Sequence, residues 1–324
     1  ILGCGQGARP IANTDVFCFA PPELSDKKYS EYLPHNLLPS NRIFEGVHAG
    51  VEDGGNKSGI PTINGAIYFD NDFAGKPLVF VGTVGMLPKK INFEGKERAT
   101  EEKLPSIGDR IYMVGGAIGA DGIHGATFSS LELDENSPAT AVQIGDPLTQ
   151  KRVADFLLEA RDKGLYSSLT DNGAGGLSSS VGEMATMTNG AVIDLGLCPT
   201  KYPGLKPYEL MISESQERMT IAVPVKYIKE FEELAKNRGT VATNIGEFTD
   251  TGYLNVLFNE KQVAYLDLHF LHDALPPMEL EAEFNGVTKV KEWVPRNKKL
   301  GFMSETIEEN LKKLLATPNI ASKE

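Results

Sequence analysis

The sequence predicts an α/β or α+β protein, and two observations support that class. Between about residues 105 and 278, segments with helical spacing of apolar residues alternate with short apolar runs that end in turn residues. Such alternation is typical of domains in which helices pack on a sheet. The 324 residues, 41% of them hydrophobic, are enough to bury a core and to form two domains.

The first zone of the chain ends near Leu104. It contains a helical pattern at 42–51, a glycine loop at 53–65 and an apolar strand pattern at 77–87. The loop carries Lys57 but lacks the order G-x-x-x-x-G-K-[ST] of a phosphate-binding P-loop, so it is not interpreted as one. A structural turn and a ligand-binding loop are equally good interpretations. The charged residues 92–103 have no apolar periodicity and are interpreted as a solvated connection, which places a domain boundary after residue 104.

The second zone, 105–278, holds most of the predicted elements. A helix at 151–162 has apolar residues at helical spacing, and Gly164 follows it where a C-terminal cap is expected. Further helices are predicted to begin near Ser178 and to cover 227–237. Strands are predicted at 111–114, 165–169, 191–195, 218–225, 240–247, 253–258 and 263–270.

The third zone, 279–324, contains a helical pattern at 304–315. Its apolar face has nothing local to pack against, so the helix is expected to dock on the body or to belong to a further domain; that face comprises Ile307, Leu311, Leu314 and Leu315. The predicted domains are therefore 1–104, 105–278 and a truncated third domain at 279–324. Because Ile1 stands in place of methionine, we expect the chain to be a fragment.

Charge and cysteine content exclude several classes of protein. The formal net charge is −12, from 44 acidic and 32 basic residues, which disfavours a nucleic-acid partner. No apolar run reaches the roughly 18–20 residues of a membrane span, so no membrane partner is expected. Cys4, Cys18 and Cys198 are odd in number and far apart, which fits neither a disulfide framework nor a zinc site and predicts a cytoplasmic location.

A glycine-rich stretch, GADGIHGATFSS at 119–130, directly follows the first strand of the second zone. Its glycines predict tight turns or close approach of the backbone to a ligand, and their N–H groups could bind an anion. His124, between Asp121 and Gly125, has a side chain suited to general acid or base chemistry. A hydrogen-bonded structural histidine is an equally good interpretation.

Asp171 stands at the carboxyl end of a predicted strand, where open sheets bind ligands. The glycines after it lead into a helix whose N-terminus attracts phosphate. A carboxylate beside a phosphate needs an intervening cation, and Mg²⁺ commonly bridges one or two carboxylates to nucleotide phosphates. Asp171 is thus a candidate magnesium ligand; the alternative is that it caps the helix or a turn.

A polar group of residues, Ser213, Glu214, Ser215 and Gln216, lies beside the strand at 218–225. Hydroxyl, carboxylate and amide groups together suit a polar, sugar-like ligand. The alternative is an ordinary solvated helix start.

These motifs together resemble the phosphoribosylformylglycinamidine synthase family, and the resemblance covers nearly the whole chain, including 7–10 (GARP) and 54–65. The matching segments occur in the family's order: GADGIHGATFSS (119–130), AVQIGDP (141–147), TDNGAGGL (170–177), YELMISESQERM (208–219) and ATPNIASKE (316–324).

The resemblance implies the PurM-like fold of the aminoimidazole ribonucleotide synthetase superfamily, in which an N-terminal-type A domain pairs with a C-terminal-type B domain. The chain would comprise the end of the first A domain, the whole first B domain and the start of the second A domain. It further implies a ligase that uses ATP and Mg²⁺ to convert formylglycinamide ribonucleotide (FGAR) into formylglycinamidine ribonucleotide. The ammonia would come from glutamine through a separate glutaminase domain or subunit.

Residue by residue, the resemblance assigns substrate contacts to Gln143 and to the triplet Glu214, Ser215 and Gln216, and a magnesium ligand to Asp171. The loop with Asp121, His124 and Gly125 would line the ligand cleft.

The chain departs from the family pattern at Thr170, Ala117 and Ala120, so its finer substrate contacts are expected to differ from those of the family. The family's segment with the catalytic histidine would lie upstream of Ile1, so the isolated chain is expected to be inactive.

Two alternatives remain open. One is a non-catalytic repeat that holds an auxiliary nucleotide, and the other is a different PurM-like ATP-dependent synthetase. A chain with half an A domain would also expose apolar surface, which predicts self-association.

Overall fold

The computed structural model of the chain describes residues 1–22, 37–125, 142–284, 286 and 306–321. Its strands are β1 (Arg9–Phe19), β2 (Thr62–Phe69), β3 (Leu78–Met86), β4 (Lys90–Phe93), β5 (Lys96–Ala99), β6 (Arg110–Gly115), β7 (Ser168–Asp171), β8 (Ala191–Asp194), β9 (Arg218–Val223), β10 (Ala242–Phe248), β11 (Tyr253–Phe258) and β12 (Lys261–Asp267). Its α-helices are α1 (Ser40–Ser58), α2 (Pro147–Asp162), α3 (Gly176–Thr186), α4 (Pro207–Ile212), α5 (Ile228–Asn237), α6 (Leu268–Asp273), α7 (Ile307–Leu315) and α8 (Pro318–Ala321).

A mixed seven-stranded sheet forms the centre of the second zone. The strand order is β12-β11-β8-β10-β6-β9-β7, and only the β11–β8 pair is parallel. A separate three-stranded sheet has the order β2-β1-β3. The predicted α/β or α+β class is confirmed.

The seven-stranded sheet is covered on both faces. Along β6, Ile111 and Met113 belong to one apolar cluster, whereas Tyr112 and Val114 belong to the other. Helices α3, α4 and α6 contribute to the first cluster, and α2 and α5 contribute to the second. Each large apolar side chain buried in this way contributes about 1.5–3 kcal/mol, so the sheet is a stable frame for the loops at its edges.

Both ends of α2 are capped, and the cap at Gly164 was predicted. Asp146 is the N-cap, and its carboxylate accepts hydrogen bonds from the backbone N–H groups of Leu148 (3.1 Å) and Thr149 (3.3 Å). At the other end, Gly164 has a φ of +67°, the left-handed conformation in which glycine terminates helices. The helix predicted at 151–162 is confirmed and begins earlier, at Pro147.

Several other predicted elements are confirmed within a few residues: the helices near Ser178 and at 227–237, and the strands at 77–87, 111–114, 191–195, 218–225, 240–247 and 253–258. The strand predicted at 165–169 is shifted to Ser168–Asp171. Strands β1 and β2 were not anticipated from the sequence.

Three predictions, two about connections and one about a strand, are wrong. The glycine loop predicted at 53–65 is mostly helix and strand: α1 continues to Ser58 and β2 begins at Thr62. An ion pair of 2.7 Å between Lys57 and Asp53 supports the last turn of α1, which ends before Gly59 at φ +71°. The solvated connection at 92–103 contains the β4–β5 hairpin, whose turn residues Glu94 and Gly95 both have positive φ.

The third wrong prediction concerns the strand at 263–270, which ends at Asp267. The carboxylate of Asp267 accepts a hydrogen bond of 2.8 Å from the N–H of Phe270 and so starts α6.

The chain divides into two compact units. The first comprises Ile1–Thr14, His48–Asn64 and Gly82–Ala274, and the second comprises Asp15–Val47, Gly65–Val81 and Leu275–Glu324. The domain boundaries anticipated after residues 104 and 278 stay predictions.

The second unit contains a small aromatic cluster. The Phe44 ring lies 5.3 Å from that of Phe19 and 6.1 Å from that of Phe69, and Asn319 of α8 exchanges two hydrogen bonds with the backbone of Phe69. The predicted apolar face of α7 is exposed, with Ile307 88% accessible, and residues 304 and 305 of the predicted helix lie outside the described residues. In the part of the chain described, no helix is long and apolar enough to span a bilayer.

Candidate functional site

The polar residues at 213–216 form a buried turn between α4 and β9. Ser213 and Ser215 are fully buried and Glu214 is 5% exposed. The guanidinium of the buried Arg218 donates to the backbone carbonyl of Ser215 (2.7 Å) and to that of Ser213. Burial lowers the pKa of Arg218 to about 10. The turn is therefore held by an internal cation, and the interpretation of these residues as a solvated helix start is wrong.

Gln143 joins this turn through its side-chain amide. Its Nε2 donates to Glu214 Oε2 (2.9 Å), and its Oε1 accepts from Gln216 Nε2 (2.9 Å). The second carboxylate oxygen of Glu214 accepts from the N–H of Gly175 (3.3 Å), just before α3. The structure thus brings Gln143 into contact with two residues of the triplet, Glu214 and Gln216, although the two segments are far apart in the sequence.

Asp121 connects the glycine-rich stretch to the same turn. Its Oδ1 accepts a hydrogen bond of 2.7 Å from the Ser215 hydroxyl, and its carboxylate also accepts from Lys201 Nζ at 2.9 and 3.0 Å. Burial alone would raise the pKa of Asp121, but the hydrogen bonds from Lys201 and Ser215 and the charge of Lys201 hold it below its usual range. Asp121 is therefore an ionised member of the network.

Gly122 explains part of the glycine usage in this stretch. It has a φ of +75°, and a Cβ at this position would lie 2.7 Å from Gln143 Cγ and 2.8 Å from Glu214 Cβ. A side chain would displace both partners, so the glycine allows the backbone to approach them.

His124 and Gly125 lie at the end of the described part of this stretch. The N–H of Gly125 donates to the carbonyl of Gly122 (2.8 Å), and His124 has a φ of +60° with an exposed side chain. Among the described residues, the His124 ring forms no hydrogen bond. Residues 126–130 of the motif lie outside the described residues, and the roles of His124 and Gly125 stay predictions.

Asp171 is the last residue of β7, as anticipated, and its side chain is exposed. It lines a cavity of about 510 Å³ together with Gln216, Glu217 and Arg218. The N-cap of α3 is Gly175, which forms no side-chain cap. The alternative that Asp171 caps this helix is therefore wrong, and its carboxylate faces a cavity shared with the end of the triplet.

The surroundings of Asp171 fit a magnesium ion that takes one protein carboxylate and completes its coordination with water and substrate phosphates. In the described ranges, the Asp171 carboxylate accepts no hydrogen bond, and no group of three or more His, Cys, Asp and Glu residues is placed to hold a metal. Mg²⁺ often binds one or two protein carboxylates and completes its coordination with water and substrate phosphates. A single free carboxylate at the cavity suits that arrangement.

Three residues of the site were missed from the sequence. Lys201 forms an ion pair with Asp121. Glu217 lines the cavity, and its backbone has a φ of +57°. Asn172 is 4% exposed and accepts a hydrogen bond of 2.6 Å from the Thr220 hydroxyl. Asn172 and Glu217 carried a sequence signal, because they directly follow Asp171 and Gln216. The pairing of Lys201 depends on tertiary structure, and a positive φ at glutamate has no local signature.

Comparisons with known proteins agree with this arrangement. The model of the AIR synthase related protein C-terminal domain matches residues 106–259, and that of the N-terminal domain matches residues 4–87. The phosphoribosylformylglycinamidine synthase subunit PurL of Salinibacter ruber is 36% identical over 323 residues, which is 98% of this chain and 40% of that protein. The chain thus spans less than half the length of this relative.

Two solved structures of T. maritima PurL have the same fold. PurL complexed with FGAR matches with a TM-score of 0.69 and 29% identity, covering 88% of this chain and 42% of that one. PurL complexed with ATP matches with a TM-score of 0.63 and 26% identity, covering 87% of this chain and 41% of that one. These matches confirm the resemblance found in the sequence and the PurM-like fold that it implies. The chain belongs to the AIR synthase related family and, within it, is similar to the PurL subunits of phosphoribosylformylglycinamidine synthase.

Proposed function

We propose that this chain supplies substrate and magnesium contacts to an ATP-dependent carbon–nitrogen ligase of purine biosynthesis. FGAR, ATP and glutamine-derived ammonia would be converted to formylglycinamidine ribonucleotide, ADP and phosphate. The observation that carries the proposal is the hydrogen-bonded network of Gln143, Glu214 and Gln216, together with the cavity that Gln216 and Asp171 both line.

The proposed chemistry has two steps. Transfer of the terminal phosphoryl group of ATP to the amide oxygen of FGAR makes that oxygen a good leaving group. Ammonia then attacks the amide carbon, and the carbon–oxygen bond breaks with its electron pair leaving on phosphate. Both steps depend on holding the amide beside the nucleotide, which is the positioning role expected of a preorganised polar site.

The side chains of the network suit an amide and a sugar. The carboxamides of Gln143 and Gln216 each offer a donor and an acceptor, and the carboxylate of Glu214 accepts hydrogen bonds from hydroxyl or amide N–H groups. Because these groups are already paired with one another, little side-chain entropy is lost when a ligand binds.

Asp171 is the residue we assign to magnesium. The ion, when bound, neutralises charge on the nucleotide phosphates. The carboxylate of Asp171 would hold the ion at the cavity. Gln216, a proposed FGAR contact, lines the same cavity.

The nucleotide and the partners are part of the proposal. ATP as the co-substrate is supported by the PurL structure complexed with ATP. A glutaminase domain or subunit as the ammonia source and a cytoplasmic location rest on the family resemblance and on the cysteine pattern.

The test measures FGAR binding by calorimetry and turnover in the full-length parent protein, because the isolated chain is expected to be inactive. An ammonium salt as the nitrogen donor makes the assay independent of a glutaminase. Gln143→Ala should weaken FGAR binding by about tenfold or more, the loss expected when buried polar partners are left unpaired. Asp171→Asn should reduce turnover and raise the magnesium requirement with a smaller effect on FGAR binding.

Gln262→Ala is the matched control, because Gln262 is an exposed glutamine of β12. Unchanged FGAR affinity and turnover in both site variants would contradict the proposal and favour the non-catalytic repeat that holds a nucleotide.

A further inference from the structure

The segment 199–203 lies alongside the start of the glycine-rich stretch, although neither forms part of the seven-stranded sheet. The N–H of Ile118 donates to the carbonyl of Pro199 (2.9 Å), and the N–H of Lys201 donates to the carbonyl of Ile118 (2.8 Å). The N–H of Ala120 donates to the Tyr202 hydroxyl (2.8 Å). These bonds fix the backbone at 118–120 against a neighbouring loop.

Lys201 extends this contact to the substrate triplet. Its Nζ donates to both carboxylate oxygens of Asp121, and Oδ1 of Asp121 also accepts from the Ser215 hydroxyl. The Ser215 oxygen in turn accepts from the N–H of Gly119 (2.9 Å). A continuous set of hydrogen bonds therefore joins Lys201 through Asp121 to the middle residue of the triplet.

The geometry of the Lys201–Asp121 pair makes it stronger than a typical surface ion pair. The Asp121 side chain is only 16% exposed, and that of Lys201 is 37% exposed. Exposed pairs contribute little to stability, whereas hydrogen bonds to ionised, partly buried groups are among the stronger ones in proteins. Lys201 does not line the cavity that contains Asp171, so its influence on a ligand there passes through Asp121 and Ser215.

Removal of Lys201 would leave a partly buried carboxylate without its cation. The charge of Asp121 also raises the pKa of Glu217 and that of Arg218, which follow the triplet in the sequence. Without Lys201, the Asp121 carboxylate would keep the hydrogen bond from Ser215 but lose its cation, and the turn that places Gly122 against Gln143 and Glu214 would lose part of its support.

We infer that Lys201 is a positioning residue for substrate. It holds Asp121, and through Asp121 it holds Ser215 and the turn 119–122 in the arrangement that binds FGAR. This inference rests on the proposed function. It goes beyond that function by placing a determinant of FGAR affinity in a loop outside the motifs that carry the family resemblance.

The test compares Lys201→Met with Lys201→Arg and with Lys226→Met. Lys226 is the control, since it pairs with Glu94 at 2.8 Å on the surface. In an ammonium-fed assay of the full-length parent protein, Lys201→Met should raise the KM for FGAR about tenfold, as loss of a charge-assisted hydrogen bond predicts. The KM for ATP and kcat should change much less, and Lys201→Arg should recover most of the FGAR affinity.

A second measurement does not depend on substrate. Amide hydrogen exchange at Gly119 and Ala120 should be faster in Lys201→Met than in wild type or Lys226→Met. A KM for FGAR that matches the control, or loss of FGAR and ATP affinity in equal measure, would overturn the inference. If wild type does not use FGAR, the proposed function fails, and unchanged exchange at Gly119 would separately overturn the role of Lys201.

Discussion

The side-chain amide of Gln143 donates to the carboxylate of Glu214 over 2.9 Å, although the two residues are 71 positions apart. Glu214 is 5% exposed, so its polar side chain depends on hydrogen bonds from the protein. Gln143 therefore contributes both to a candidate substrate surface and to the stability of a buried acid.

This relationship predicts measurable coupling between the two side chains. In a double-mutant cycle of Gln143→Ala and Glu214→Ala, the two changes should be non-additive by about 1–2 kcal/mol in the free energy of unfolding. The reason is that either substitution alone already breaks the shared hydrogen bond. Urea denaturation of the four proteins measures the coupling, and additive effects would show that the pair is not formed in solution.

Gly122 predicts a second effect, on packing. Gly122→Ala should destabilise the protein by about 2–3 kcal/mol, because it combines a strained positive φ with overlap at Gln143 and Glu214. Gly108→Ala is a matched control: Gly108 has a φ of +88°, but a Cβ there has no atom within 4 Å. The control should cost only about 1 kcal/mol of backbone strain. Equal losses in urea denaturation would contradict the packing argument.

Local signals in the sequence predicted much of the fold. The apolar run 111–114 became the buried β6, and Gly164 ended α2, because both depend on neighbouring residues. The hairpin turn at Glu94 and Gly95 was missed because its flanking strands are charged and short.

The site was predictable to a similar extent. Asp171, Glu214 and Gln216 were identified from residue type and position, whereas Gln143 came only from the family resemblance. Lys201 lies 80 positions from Asp121, and nothing local in the sequence indicates that the two side chains meet. Pairings of this kind depend on the register of the sheet and the paths of the loops, so they emerge only with the tertiary structure.

The lowered pKa of Asp121 predicts a pH dependence of stability. Its folded pKa is below that of an unfolded aspartate, about 3.9, so the ionised form favours folding. This contribution is present above the unfolded pKa and is lost as the pH falls through the folded pKa. Asp121→Asn should therefore be less stable than wild type at pH 7, and the gap should narrow below about pH 4. Urea denaturation across this range measures the gap, and a gap independent of pH would contradict the assignment.

The raised pKa of Glu217 predicts the opposite dependence of stability on pH. Burial raises its pKa, and the charges of Asp146 and Asp121 add to that effect, while a hydrogen bond from the N–H of Asp146 and the charge of Lys201 oppose it. A raised folded pKa means that stability is greatest below the unfolded pKa, about 4.3, and is lost as the pH rises through the folded pKa.

Glu217→Gln removes the cost of ionising this side chain and retains an oxygen that accepts from Asp146. The variant should therefore have a higher Tm than wild type at pH 7, and the difference should shrink near pH 4. Glu233→Gln, at an exposed position of α5, is the control and should leave Tm nearly unchanged at both pH values. Differential scanning calorimetry measures the shifts. A lower Tm for Glu217→Gln at pH 7 would contradict the argument, because it would show that the ionised carboxylate stabilises the fold.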